Sequence, residues 1–152
     1  MLPTLTIIEN ASKSAEHTTL VQAIKAAGLV DALSGPGPFT VFAPNNAAFG
    51  RLQPGTLDTL LKPENKPQLE TLLKFHVLPQ ALTAEQIKAA IAAGGGSASF
   101  PTLQGAPIIA RIEGANIVLT GGQGNISYVI QSDVAQSNGV IHVVNGVIAP
   151  PV

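Results

Sequence analysis

The spacing of apolar residues changes period part-way along this chain. As far as Gly94-Gly95-Gly96 they recur mainly at helical intervals, and from Ser97 onward they alternate. A helix repeats about every 3.6 residues and a strand every two, so the two halves require different elements. Helices followed by consecutive strands predict an α+β domain with helices packed on a mostly antiparallel sheet system. No internal repeat or interdomain linker breaks the pattern, so residues 1–152 are expected to form one domain.

In the helical half, Ser14 is read as an N-cap, after which Leu20, Ile24 and Ala27 share a face that Val21 widens, until Gly28 interrupts. Leu29, Val30 and Leu33 add a short further turn. The segment Gly35-Pro36-Gly37-Pro38 admits neither helix nor ladder, because proline lacks an N–H and glycine favours turns. Phe39-Thr40-Val41-Phe42 then reads as a short buried strand ended by Pro44. Asn45 or Asn46 is placed to accept from the orphan N–H groups of the helical turn Ala47-Ala48-Phe49. Leu57, Leu60 and Leu61, then Leu69, Leu72 and Leu73, mark two half-buried helices, the second tolerating Pro67 in its first turn. Phe75-His76-Val77-Leu78 reads as a strand before Pro79. Thr83-Ala84-Glu85-Gln86 is a capping-box pattern opening a helix with Ile87, Ala90 and Ile91 inward.

In the second half, Ile108, Ala110 and Ile112 alternate, and so do Ile117 and Leu119 beyond the turn Glu113-Gly114-Ala115-Asn116, which predicts a hairpin. The loop Gly121-Gly122-Gln123-Gly124-Asn125 leads to a third strand through Ile126, Tyr128 and Ile130. A nearly continuous apolar run, Val140 to Val144 with Val147-Ile148, closes the chain. Asn138-Gly139 and Asn145-Gly146 are expected to turn through positive φ, the first leading into the last strand and the second re-aiming its end.

Composition narrows the function classes. At this length the chain buries enough surface to need no disulfide or metal, and it has no cysteine. Hydrophobic residues make up 45% and charged residues 11%, with a mean hydropathy of +0.33, which excludes general disorder. The apolar excess has two destinations: a well-filled Ala/Val/Ile/Leu core, or a patch that marks a partner or ligand site. Eight basic and nine acidic residues give a net charge of −1 with no Lys/Arg cluster, so nucleic acid lacks its electrostatic footprint. No run of about 18 apolar residues is present to span a membrane. Met1 is not followed by a charged start, apolar stretch and small-residue cleavage site. Either the protein is cytosolic or a signal peptide was removed ahead of Met1. A monomer is expected.

Three segments together resemble the fasciclin family. Thr40-Val41-Phe42-Ala43-Pro44-Asn45-Asn46-Ala47-Ala48-Phe49 is similar to its first signature box. Phe75-His76-Val77-Leu78-Pro79 is similar to its central Tyr-His segment, and Asn138 to Pro150 to its second box. The resemblance runs from about Thr6 to Pro150, and two long boxes in order are more specific than one short motif. It implies a wedge of two mostly antiparallel β-sheets with a cluster of N-terminal helices. It also implies a secreted, periplasmic or surface location and adhesion-type contacts with proteins or glycans. A few relatives look like carriers of apolar pigments, so the alternative is a carrier of a lipid or carotenoid-like molecule, its groove lined by Ile108 to Ile112 and Val140 to Ile148. The candidate binding residues are Asn45, Asn46, Phe75, His76, His142 and Asn145. Three of them depart from the family, which often has Thr or Ser in place of Asn45, Tyr in place of Phe75 and Asp in place of Asn145. The integrin contact associated with the Tyr-His segment in animal relatives is therefore not carried over to Phe75, which lacks the phenolic oxygen.

Read as chemistry, the same residues predict no catalytic, cofactor or metal site. His17, His76 and His142 have no paired spacing, and no cysteine completes a zinc set. A lone histidine such as His76 is expected to bond a backbone carbonyl within the core, and His142, alternating with Val140 and Val144, to serve the sheet. A triad drawn from Ser132 or Ser137, Asp133 and His142 lacks the Gly-x-Ser-x-Gly elbow that presents a nucleophile. The glycines at 94–96 and 121–124 do not form a phosphate-cradling motif. Asn10-Ala11-Ser12 and Asn125-Ile126-Ser127 fit the N-glycosylation pattern.

Overall fold

The computed structural model describes residues 5–35, 38–51, 56–121 and 126–148, without the side chains of 56 and 57. Pro36-Gly37, the loop at 122–125, the Leu57 side chain and the Asn125 sequon lie outside the described residues. The strands are β1 (Phe39–Pro44), β2 (Val77–Leu78), β3 (Ser97–Pro101), β4 (Pro107–Glu113), β5 (Asn116–Thr120), β6 (Ile126–Gln136) and β7 (Gly139–Val144). The helices are α1 (Ile7–Lys13), α2 (Thr18–Ala27), α3 (Val30–Leu33), α4 (Asn46–Gly50), α5 (Thr56–Leu60), α6 (Lys66–Lys74) and α7 (Ala84–Ala93), with a 3-10 turn at Pro63–Asn65.

Sheet order is β2-β1-β7-β6-β5-β4-β3, antiparallel except where β1 runs parallel to β7. The two-sheet wedge implied by the family resemblance is here one continuous sheet, because both halves share β6. Its start pairs with β5 from Thr120↔Ile126 to Val118↔Tyr128, and its remainder pairs with β7 from Val129↔Val144 to Gln136↔Gly139. Register shifts between Val129 and Gln131 and between Gln131 and Val134, with Asp133 at φ 60°, turn the sheet without ending it. At the far edges the Leu103 N–H, just beyond β3, donates to the Val77 carbonyl at 2.9 Å. The sheet is thereby almost closed into a barrel.

Period-two alternation sends the central strands into two cores. Val41, Ala43, Val77, Ile141 and Val143 face a cluster completed by α1, α2, α3 and α6, including Ile7, Ile24, Leu33 and Leu69. Phe42, Leu78 and Val144 face the other side, against Ile87 and Ile91 of α7, Ile108 and Ala110 of β4, and Leu119 of β5. Covered on both faces, β1 and β7 read as apolar runs interrupted only by Thr40 and by His142 for that reason.

Several local expectations are met atom by atom. Thr83 and Gln86 form the capping box of α7, Pro67 sits in the first turn of α6, and Gly28 ends α2 at φ 72°. The β4–β5 hairpin turns at Gly114-Ala115, between the paired Glu113 and Asn116. Others are corrected. Ser14 closes α1 and His17 stands at the N-cap of α2, with Ser14 Oγ bonding His17 Nδ1 at 2.9 Å. Phe75 and His76 do not belong to a strand: the α6 hydrogen bonds run on through Phe75, whose N–H reaches Thr71 O, and only Val77 and Leu78 pair with β1. Gly139 and Gly146 do not have positive φ. Glycine is required at 139 by space, since a Cβ there would lie 2.0 Å from Phe39 O.

Candidate functional site

The six candidate residues divide between capping, core and strand-end duties. Asn45 accepts the Ala48 N–H at 2.8 Å as N-cap of α4. Asn46 reaches the other way: its Oδ1 accepts the Thr19 N–H at 3.0 Å and its Nδ2 donates to Ala15 O at 3.0 Å, joining α4 to the start of α2. Asn145 imitates a strand residue beyond the end of β7, its Oδ1 accepting the Tyr128 N–H at 2.9 Å while its own N–H donates to Tyr128 O at 3.1 Å. A carboxylate at position 145 would accept the same bond, so the neutral amide preserves this function.

Phe75 is completely buried and meets His76 edge-on, with ring centroids 6.5 Å apart. His76 is bonded through both ring nitrogens: Nδ1–H donates to Leu72 O at 2.9 Å, and Nε2 accepts the Ile148 N–H at 3.2 Å. This neutral tautomer ties the end of α6 to the chain's last described residue. Burial pushes its pKa down to about 4, against an opposing hydrogen bond to Leu72. His142 is likewise enclosed. Its Nε2–H donates to Leu82 O at 2.7 Å, its Nδ1 accepts the Asp133 N–H at 3.2 Å, and its ring stacks on Phe42 with centroids 5.7 Å apart. Burial lowers its pKa, while the Leu82 bond and the Asp133 charge act the other way.

The paper triad is not assembled, because the Asp133 carboxylate accepts the Ala84 N–H at 2.7 Å and His142 is committed to backbone groups. His17 is the third buried histidine. Its Nε2 has no hydrogen-bond partner among the described residues, and burial lowers its pKa against the Glu16 charge and the Ala43 backbone. Among the described residues no cluster of three or more His, Cys, Asp or Glu could hold a metal, and no helix is long and apolar enough to cross a membrane. Asn10 of the first sequon is 2% exposed and donates to Gln136 Oε1 and Leu5 O, so a glycan has no access to it.

The strands proposed to line a carrier groove put most of their apolar side chains inside: Ile108, Ala110, Ile141, Val143, Val144 and Ile148 all belong to the two cores. A depression of about 320 Å³ between α6 and the loop at 102–105 is lined mainly by polar residues, including Glu70, Thr71, Lys74 and Gln104.

What the sequence did not single out is the outer surface of β6. Ile126, Tyr128 and Ile130 alternate as expected, but they point away from the core: Ile126 is 47% and Ile130 54% exposed, while the inward Ser127 is fully buried. Ile112, also exposed, stands at the end of β4 opposite Ile117. Beside Ile130 lies a cleft of about 90 Å³ between β5 and β6, lined also by Ala84 and Lys88 of α7.

The fasciclin domain family matches residues 15–150. Protein sll1483 of Synechocystis is 43% identical over 97% of this chain and 74% of its own length. Transforming growth factor-beta-induced protein ig-h3 of pig is 32% identical over 98% of this chain, which spans 20% of that protein. Among solved structures, a FAS1 domain pair from the insect cell adhesion molecule Fasciclin I superposes with a TM-score of 0.83 at 19% identity, over 95% of this chain and 50% of that one. The family match, relatives aligned over nearly all of this chain, and the fold agree, and the chain belongs to the fasciclin domain family.

Proposed function

We propose that this chain is a single-domain, non-enzymatic module that contacts proteins in the manner of an adhesion domain, from a secreted, periplasmic or surface-displayed position. The observation that carries this reading is a division of roles within the fold. Histidine and asparagine groups that could serve chemistry are bonded internally, whereas Ile112, Ile126 and Ile130 are left exposed. Ile126 and Ile130 flank Tyr128 on the outward side of β6, and exposed apolar side chains sharing a face mark contact surfaces more often than isolated ones do. The family membership supports it, as does the shared fold with a cell adhesion molecule. A protein is favoured over a glycan because the chain has no tryptophan and one tyrosine with which to stack sugar rings.

Photo-crosslinking tests the proposal. A benzophenone side chain is placed in turn at Ile130, Lys25 and Gln104, and each labelled chain is exposed to periplasmic and surface proteins. Reproducible adducts with a defined protein from any of the three positions support a protein-contacting module. No adduct from any position, or turnover of a small substrate by the chain, overturns it.

A further inference from the structure

We propose that the opening between β5 and β6 receives an extended acidic segment of a partner protein as an added strand, an inference that rests on the protein-contacting role proposed above. The β5–β6 ladder stops at Val118↔Tyr128, yet β6 continues to Gln136. Ile130, Ser132 and Asp133 fall at the two irregularities and have no register partner on β7 either. Among the described residues, no strand lies on the β5 side of β6 beyond Tyr128. An uncovered strand edge is a template for main-chain pairing, and extended peptides bind to sheets in this way.

Two further observations converge on the same place. The opening holds a cleft of about 90 Å³ lined by Ile117, Val129, Ile130 and Gln131 among others. That is far below the roughly 300 Å³ at which small-molecule pockets begin, and it suits a single aliphatic side chain. Ile130, one of the four large hydrophobics exposed among the described residues, is itself part of that lining.

Charge then selects the partner. Lys88 is the only charged residue among those lining the cleft, is exposed on α7, and makes no ion pair among the described residues. Of the carboxylates nearby, Asp133 accepts the Ala84 N–H, Glu113 lies 3.5 Å from the Tyr128 hydroxyl, and Glu85, three residues before Lys88 on α7, does not line the cleft. Lys88 lies four residues beyond Ala84, about 6 Å further along the helix axis. The strand that fits has alternating aliphatic residues for the cleft and one carboxylate for Lys88.

The test uses the full chain, labelled with 15N, and a capped peptide of alternating threonine and valine with one central aspartate. A second peptide carries lysine in place of the aspartate, and a third carries proline at alternate positions to abolish main-chain pairing. Amide shifts are expected to concentrate at Ile117, Val129, Ile130 and Ser132. The lysine peptide should bind at least about five-fold more weakly and the proline peptide not at all, with Lys88→Glu reversing the order of the first two. Absence of shifts at millimolar peptide, shifts centred elsewhere, or an order unaffected by Lys88→Glu overturns the proposal. So does a self-associated chain whose dimer is lost in Ile130→Arg, since the occupant is then a second copy. Crosslinks that form from Lys25 or Gln104 but not from Ile130 leave the protein-contacting role standing and remove this site alone.

Discussion

At the residue scale, His76 couples titration to folding. Both its nitrogens are bonded in the neutral form, and burial holds its pKa near 4 against a value of 6.5 in the unfolded chain. Above pH 6.5 the ring is neutral in both states and the fold keeps its full stability. Below that, the unfolded chain takes up a proton that the folded chain excludes until about pH 4, so stability falls through this window, by roughly 3 kcal/mol from His76 alone. His17 and His142, also lowered by burial, act in the same direction. Urea midpoints measured from pH 7.5 to 4 should therefore decline with acid, and His76→Asn should flatten part of the slope. A midpoint constant between pH 7 and 5 rules this account out. Gly139 shows a different residue-scale constraint. A methyl group built there would collide with Phe39 O, which no side-chain rotation relieves, so Gly139→Ala or Gly139→Val must separate the β1–β7 pair. The expected loss is about 2–4 kcal/mol or failure to fold. An unchanged melting temperature would show that the strands adjust freely.

At the element scale, Asn138 joins three segments. Its Oδ1 accepts the Ile7 N–H at 3.0 Å, and its Nδ2 donates to Leu33 O at 2.8 Å and Gly35 O at 2.9 Å. It thereby ties α1 and the end of α3 to the start of β7. Asn138→Ala leaves these groups unpaired where water has little access, at an expected cost of about 2–4 kcal/mol. Asn138→Asp, which keeps the acceptor and loses both donors, should also destabilise; equal melting temperatures for wild type and both variants would refute the tie. None of these bonds is visible in the sequence, because their partners come from distant parts of the chain. What was legible is local: the Thr83 capping box, the Asn45 cap and the β4–β5 hairpin depend on residues within a few positions of each other. The capping box of α1 at Thr6 and Glu9 carried the same signal and could have been read. The alternation of Ile126, Tyr128 and Ile130 gave the strand but not its inward face, because period two is unchanged when a strand is turned over. The candidate site was missed for that reason: its residues are ordinary types made unusual only by the side they occupy.

At the scale of the whole molecule, the two cores share strands rather than lying in separate units. Val41 and Ala43 belong to the helix-covered core while Phe42 between them belongs to the other, and Val143 and Val144 divide in the same way. Loosening either core must therefore disturb strands that hold the other. The parallel pair also joins β1 from the first third of the chain to β7 from near its end, so neither core is complete until both have been placed. This architecture predicts a single cooperative transition. Ile24→Ala empties a buried site among the helices, and Ile87→Ala does so under α7; each should lower stability by about 2–4 kcal/mol. The discriminating measurement is native-state hydrogen exchange at amides of β1 and β7 in both variants. If the cores are one unit, the most protected amides lose about the same free energy in each variant, whichever core was cut. If Ile24→Ala lowers protection only in the helices and Ile87→Ala only in β4 and β5, the cores unfold separately and the strand-sharing account fails.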